Sequence, residues 1–423
     1  MHKFDLINEF KTRDLIAQVT NEEKLIYKIN NGNISLYCGF DVTADSLHIG
    51  HILPLLCLKR FQDAGHKPII LIGGATSLIG DPSFKISERQ LNSIELIDAW
   101  KESISNQISL FLDFNLNFNS AMIVNNYEWF ENLSLLQFLC TIGKHFSVNK
   151  MINRDAVKKR IIRTDTGISF TEFSYNLLQA YDFSVLYKKY KVILQIGGSD
   201  QWGNITSGIN LIRRFYSDET FGLTLPLLTQ KNGVKFGKTE KNTIWLDKNK
   251  TSSYKFYQYW VNISDLDVCR FLKFFTVLSI LEINVIASVN SSLELNKSKL
   301  FLAEYLTKMV HGENALKAAK RISSCLFYGD VFSMKESDFF QLEQDGIPSI
   351  KISGFLSLQQ VLVDSHLASS RTQARHMIVS NSVTINSIKQ NNEMYVLSNN
   401  DVIFNKYTLL SRGKKTFCLI HWI

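Results

Sequence analysis

The chain has 423 residues, 45% hydrophobic and 20% charged, with a net charge of +8. That length holds two or three domains, each with ample core, and the balanced composition excludes a disordered, collagen-like or disulfide-scaffold protein. The positive charge suits a polyanionic partner and is uneven, since residues 352–423 carry seven Lys and Arg (371, 375, 389, 406, 412, 414, 415) against three acids (364, 393, 401).

In chain order, Met1–Thr20 is mixed in charge and lacks the apolar core of a signal peptide. Ile34–Phe40 reads as a buried strand, the glycine and aspartates after it as a turn, and Ile52–Phe61 as a helix. The first N–H groups of such a helix lack intrahelical partners and suit an anion. His48 and His51 stand at its start on one face, where their N–H groups could stabilise charge developing on phosphorus; Gly50 between them lets a flat ligand approach. The alternative is a cap and a surface histidine, and the preceding strand, the loop aspartates and Thr43 favour the ligand reading. Next come the β-branched run Pro68–Gly74, a loop Ala75–Arg89 with Asp81, Ser83 and Lys85, a helix Leu91–Leu112, a strand Met122–Asn125, and helices Leu133–Ile142 and Asn153–Arg160. Alternating strands and helices imply a parallel sheet with ligands at the carboxyl ends of its strands, so the two loops face one crevice.

Phe170–Asp182 reads as an apolar helix in which Tyr175, Gln179 and Asp182 share one face. Among Phe173, Leu177 and Phe183 such a stripe must find partners, either a bound polar ligand or a core hydrogen-bond network. Val192–Ile196 is a buried strand followed by Gly197, Gly198, Asp200 and Gln201; glycines there admit a ligand, and an aspartate suits ribose hydroxyls. Lys235, Lys238 and Thr239 follow Asn232-Gly233 in a polar loop, either as solvated charge or as groups that neutralise a leaving pyrophosphate. Phe271–Val289 is interrupted by Lys273 and Glu282, which favours a buried helix pair over a membrane span. Residues 251–330 are helical and aromatic, with an amphipathic Glu304–Lys320. Residues 331–353, with Asp345-Gly-Ile-Pro348, read as a linker. The six cysteines are scattered without a close pair, which argues against zinc and for reduced thiols.

His48-Ile-Gly-His51 with Lys235-Phe-Gly-Lys238-Thr239 resembles the paired signatures of class I aminoacyl-tRNA synthetases. Tyr37-Cys-Gly-Phe-Asp, Gly73-Gly-Ala-Thr, Gly80-Asp-Pro-Ser and Gln195-Ile-Gly-Gly-Ser-Asp-Gln-Trp-Gly-Asn occur in the order expected of the bacterial tyrosyl-tRNA synthetase family. The resemblance covers essentially the whole chain, and the second signature departs from its consensus in its middle and last letters while keeping Lys235 and Lys238. It implies an α/β fold: a Rossmann-like parallel-sheet catalytic domain (1–250, with a dimer-interface insertion within about 126–190), an α-helical anticodon-recognition domain (251–330), and a small α+β S4-like RNA-binding domain (354–423). It implies attack of the tyrosine carboxylate on the α-phosphorus of ATP, then transfer to tRNA(Tyr), by positioning and electrostatics without a covalent nucleophile.

The resemblance assigns Thr43, His48, His51, Lys85, Arg89, Lys235, Lys238 and Thr239 to catalysis, and Asp41, Gly50, Gly198, Asp200 and Lys238 to ATP. Asp81, Tyr175 and Gln179 go to the amino group of tyrosine, with Gln201 nearby in the same substrate site, and Tyr37 and Asp182 go to its phenol. Mg²⁺ arrives with ATP, and no tightly bound protein-ligated metal is expected. A pocket of buried hydrogen-bonding groups rejects phenylalanine without editing, a principle whose standing example is this synthetase family. Arg371 and Arg375 would contact RNA phosphates from one helix face, and Asn381 and Asn386-Ser387 stand where the S4-like motif usually has glycine. A cytoplasmic homodimer with no membrane association is expected. Two rivals are a tryptophanyl-tRNA synthetase, opposed by Tyr37 and Asp182, and an RNA-binding protein on a synthetase scaffold, opposed by the intact histidines and lysines.

Overall fold

A computed structural model describes residues 5–83, 93–154, 157–158, 161, 167–228, 243–288, 292–413 and 416–423. The chain divides into two compact units, Met1–Thr243 with Ser264–Val289, and Ile244–Ile263 with Asn290–Ile423.

In the first unit, six strands form one sheet: β1 (Gln18–Val19), β2 (Ser35–Asp41), β3 (Lys67–Gly73), β4 (Met122–Asn125), β5 (Val192–Gly198) and β6 (Phe221–Leu225). Their order is β1-β6-β5-β2-β3-β4. All pairings are parallel except the short antiparallel edge pair β1–β6. The central strands β2, β3 and β5 are mostly buried, and β3 and the first half of β5 are rich in Ile, Leu and Val, as a sheet covered on both faces requires. Helices Ile52–Asp63, Ile94–Ile108, Phe170–Tyr190 and Trp202–Tyr216 supply much of that cover. Tyr37, Ile69, Phe183, Val192 and Ile205 belong to one buried cluster between strands and helices.

Three sequence expectations change here. The stretch after Gly73 opens as a helix, Gly74–Ile79, instead of a loop. The Thr76 hydroxyl donates to Asp41 Oδ1 (2.8 Å) and the Ser77 hydroxyl oxygen accepts the Val42 N–H (2.7 Å), tertiary bonds that local periodicity does not reveal. The helix expected over Leu91–Leu112 runs Ile94–Ile108 among the described residues. The expected buried helix pair exists as Asp265–Phe275 and Ile280–Ser288, but only the first is well buried: Phe271, Leu272 and Phe275 face the core, while Leu281 is 77% exposed.

In the second unit, helices Ser253–Val261, Ser292–His311 and Glu313–Tyr328 precede a second sheet. Gly312, at φ +84°, splits the amphipathic stretch Glu304–Lys320 into two helices in a backbone conformation that glycine adopts freely. Strands β7 (Ser349–Ile352), β8 (Val383–Ile385), β9 (Ile388–Lys389), β10 (Tyr407–Arg412) and β11 (Thr416–Trp422) order as β7-β11-β10-β8-β9. Two short helices, Leu358–Asp364 and Arg371–Val379, close a core with Val361, Ile378, Leu410 and Ile420. Asn381, Asn386 and Ser387 all take positive φ where the motif commonly has glycine. Asn386 is further fixed by its side chain, which accepts the Leu409 N–H and donates to the Asp401 carbonyl (2.8 and 2.6 Å).

Residues 331–353 are not a bare tether, because they hold the helix Glu336–Gln341 and strand β7. Phe339 and Leu342 from this stretch pack with Tyr254 and Ile322 on one side and Tyr407 and Leu419 on the other. The six cysteines are free. No helix among the described residues is long and apolar enough to cross a membrane.

Candidate active site

Strand order reverses around β2, with β3 and β4 to one side and β5 and β6 to the other. A crevice opens at the carboxyl ends of strands at such a point. Here it is a cavity of about 330 Å³ lined by Tyr37, Asp41, Thr43, His48, Gly50, His51, Asp81, Tyr175, Gln179, Asp182, Gly198, Asp200 and Gln201. The fold therefore brings together every described residue expected to meet tyrosine or ATP. Lys85, Arg89, Lys235, Lys238 and Thr239 lie outside the described residues.

At one end, the peptide from His48 to His51 forms a single turn leading into the helix Ile52–Asp63. The two imidazoles stack with centroids 3.9 Å apart. His48 Nδ1 accepts the Gly50 N–H (3.0 Å), and His51 Nδ1 accepts the His48 N–H (3.2 Å). An Nδ1 that accepts carries no proton, so each neutral ring bears its proton on Nε2 and can donate there. Gly50 has a specific role in this turn. A Cβ on it would lie 2.8 Å from His48 Cε1 and 2.9 Å from Nδ1, so any larger residue would displace that ring.

At the other end, Tyr37 and Asp182 are buried. Asp182 Oδ1 accepts from Trp129 Nε1 (2.8 Å) and Oδ2 from Asn126 Nδ2 (3.1 Å). Burial nevertheless pushes the Asp182 carboxyl up to about 8, against those two donors. Burial, with Asp182 nearby, also holds the Tyr37 phenol well above its ordinary value. Among the described residues, nothing pairs with Tyr37 Oη, Gln179 Oε1 or Gln195 Oε1, although all three atoms are buried. Buried polar atoms usually have partners, so these three atoms, all lining one cavity, are placed to hydrogen-bond a polar ligand.

Between the two ends, Asp41 accepts the Tyr175 hydroxyl (2.8 Å) and the Thr76 hydroxyl. Asp81 accepts the Ser83 N–H (3.0 Å) and Gln201 Nε2 (2.8 Å), and Gln201 in turn accepts from Asn204 (3.1 Å). Carboxylates fixed this way present remaining lone pairs to an ammonium group. Sequence reasoning passed over Gln195, Thr76, Asn126 and Trp129. Thr76 and Gln195 fall within family motifs, and Gln195 also stands out as a glutamine in an otherwise apolar strand, whereas Asn126 and Trp129 left no local signal.

In the second unit, Arg371 and Arg375 lie on one exposed helix face. Arg371 Nε donates to Gln360 (2.9 Å), and Arg375 pairs with Glu393 while remaining 63% exposed. Neither arginine is buried, so both can reach an external anion, although Arg375 must leave Glu393 to do so.

Comparison with known proteins bears on the same two regions. Residues 29–328 match the family described as tRNA synthetases class I (W and Y), and residues 338–420 match the tyrosine–tRNA ligase SYY-like C-terminal domain. The chain is 63% identical over 417 residues to a tyrosine–tRNA ligase of Buchnera aphidicola subsp. Baizongia pistaciae, covering 99% of this chain and 98% of that one. It is 56% identical over 423 residues to a tyrosine–tRNA ligase of Escherichia coli, covering 100% of both. A solved C-terminally truncated mitochondrial tyrosyl-tRNA synthetase of Aspergillus nidulans superposes with a TM-score of 0.67 at 30% identity, covering 76% of this chain and 94% of that one. On fold, cavity and likeness together, the chain belongs to the class I tRNA synthetases of the tryptophan and tyrosine type, in their tyrosine–tRNA ligase branch.

Proposed function

We propose that the chain activates L-tyrosine with ATP and then esterifies tRNA(Tyr). In the first step a tyrosine carboxylate oxygen bonds to the α-phosphorus and the bond to the β-phosphate bridge breaks, giving tyrosyl-AMP and pyrophosphate. In the second, a terminal ribose hydroxyl of the tRNA takes the acyl group and AMP leaves. The observation that carries this reading is the buried Tyr37 hydroxyl beside Asp182, a polar pair lining the crevice at the carboxyl ends of the strands.

Tyr37 and Asp182 receive the phenol, and Asp81, Tyr175, Gln179 and Gln201 receive the ammonium. His48 and His51 donate from Nε2 to phosphate oxygens as charge builds in the transition state, with Thr43 beside them. Lys85, Arg89, Lys235, Lys238 and Thr239 add charge and hydrogen bonds on the pyrophosphate side. Asp41, Gly50, Gly198 and Asp200 form the adenosine side, Asp200 on the ribose. Mg²⁺ comes as the counter-ion of ATP and belongs to the substrate. Residues 251–330 read the anticodon region, while Arg371 and Arg375 take RNA phosphates.

A homodimer is supported by Leu135, Leu136 and Val148, which are 70%, 74% and 57% exposed. Apolar groups of that size gathered in one segment are characteristic of a covered surface. The setting we infer is the cytoplasm, where tRNA is charged. The test is ATP–pyrophosphate exchange with each of the twenty amino acids and no tRNA. Exchange with tyrosine alone is expected; exchange with tryptophan instead, or none from folded protein, overturns the reading.

A further inference from the structure

We propose that Gln107 is a positioning residue for tyrosine activation, fixing the Leu47 amide and, through it, the orientation of the His48 and His51 imidazoles. This rests on the reading of the histidines given above. Gln107 lies in the last turn of the helix Ile94–Ile108. Its Oε1 accepts the Leu47 N–H at 2.8 Å, with the Ser46 hydroxyl 3.3 Å away. Ser46 and Leu47 are 4% and 1% exposed, so water cannot replace this acceptor cheaply.

From Leu47 onward the turn is tied to itself. The His48 N–H donates to His51 Nδ1, the Gly50 N–H to His48 Nδ1, and the His51 N–H to the His48 carbonyl (2.8 Å). Both rings are therefore aimed by backbone groups of the same turn. Gln107 holds the Ser46–Leu47 peptide, and a rotation released there passes through Leu47 to the His48 N–H that aims the His51 ring, so the turn and both imidazoles move with it. At the other end of the same loop, the Val42 N–H is held by Ser77 Oγ. The loop from Val42 to Leu47 thus hangs between two side-chain acceptors, from helices Gly74–Ile79 and Ile94–Ile108.

None of the bonds that set the tyrosine end runs through Gln107. Asp182 is held by Asn126 and Trp129, and Asp81 by Ser83 and Gln201. Loss of the Gln107 acceptor should therefore slow chemistry on ATP while leaving tyrosine binding intact. Both contacts use Oε1, and a glutamate carboxylate fills that acceptor role equally well.

The experiment compares Gln107→Leu and Gln107→Glu with the unaltered full-length chain. Tyrosine affinity is measured by equilibrium dialysis without ATP, and kcat by ATP–pyrophosphate exchange at saturating tyrosine. Gln107→Leu is expected to lose about 10–100-fold in kcat, the penalty of a displacement near 1 Å at reacting groups, with tyrosine Kd within about twofold. Gln107→Glu is expected to restore kcat to within about threefold. Should Gln107→Leu not fold, Gln107→Asn, polar but one methylene short, takes its place in the comparison. Unchanged kcat, a parallel loss of tyrosine affinity, or a glutamate variant as impaired as leucine would overturn the inference. Absence of tyrosine-dependent exchange in the unaltered chain would instead overturn the activity.

Discussion

Replacing Tyr37 by phenylalanine should make the free enzyme more stable and the enzyme worse at binding tyrosine. The Tyr37 hydroxyl is fully buried and has no partner among the described residues, and burial keeps it a neutral donor throughout the ordinary pH range. A buried hydroxyl left unpaired costs about 1–3 kcal/mol. Tyr37→Phe removes that atom while leaving the ring against Phe183, whose centroid lies 5.3 Å away. The unliganded variant should therefore gain about 1 kcal/mol, read as a higher urea midpoint at unchanged slope. On the proposed reading the same atom donates to the substrate phenol in the complex, so its loss should weaken tyrosine by about 1–2 kcal/mol, or roughly 5–30-fold in KM. Preference over phenylalanine should fall by a similar factor, because the variant no longer leaves a polar group stranded when phenylalanine binds. The assays are urea unfolding of the free protein and ATP–pyrophosphate exchange with each amino acid. A variant less stable than its parent, or one with unchanged tyrosine KM, would refute the reasoning, since either result means that the hydroxyl is satisfied within the fold.

The Asp182 carboxyl, pushed from 3.8 to about 8 by burial, keeps its proton in the native state where the unfolded chain has lost it. Its contribution is intact below about pH 4 and is lost progressively as pH rises from there to about 8, by a few kcal/mol. Asp182→Asn should flatten that fall in a series of urea midpoints from about pH 5 to about pH 9; an unaltered pH profile would contradict it. Gly50→Ala places a methyl 2.8 Å from His48 Cε1, so exchange kcat should drop about 10–100-fold while tyrosine Kd, from dialysis, stays nearly constant. Glu393→Gln frees Arg375 from its ion pair. Filter binding of tRNA should tighten, because Arg375 no longer has to leave Glu393 to meet a phosphate; unchanged affinity would mean that Arg375 meets no phosphate.

The β2 loop and the histidine turn were legible because they are contiguous: a buried strand, turn residues and a helix start within fifteen positions constrain one another. The stripe of Tyr175, Gln179 and Asp182 was legible as a face, but whether it met a ligand or the core was not. The structure gives a mixed answer, with Asp182 held by Asn126 and Trp129 and Gln179 Oε1 left unpaired. Gln107 was invisible for the opposite reason. A glutamine in a solvent-edged helix is unremarkable by itself, and its partner lies 60 residues away. The helix Gly74–Ile79 was missed because paired glycines argue locally for a loop, whereas bonds to Asp41 and Val42 at the end of the neighbouring strand β2 settle its conformation. Local pattern predicts elements well and predicts what they are bonded to poorly.

The same limit explains why residues 331–353 read as a linker and fold as part of a core. Their composition is polar and broken by Gly346 and Pro348, yet Phe339 lies face to face with Tyr407 at 5.4 Å, and Glu343 accepts the Tyr407 hydroxyl at 3.0 Å. Tyr254 and Ile322 of the helical segment share that cluster with Leu409 and Leu419 of the second sheet. The arginines on the helix Arg371–Val379 are thus carried by a sheet whose opposite side is built into the helices of the same unit. The RNA contacts proposed for the small α+β module and for the helical segment would draw on one packed framework. Removing the chain after Ser353 would expose Ile322 and Phe339 along with deleting Arg371 and Arg375, so loss of aminoacylation in such a truncation would mix failed packing with lost RNA contact. Single changes at Arg371, Arg375 and Glu393 leave that core untouched and separate the two.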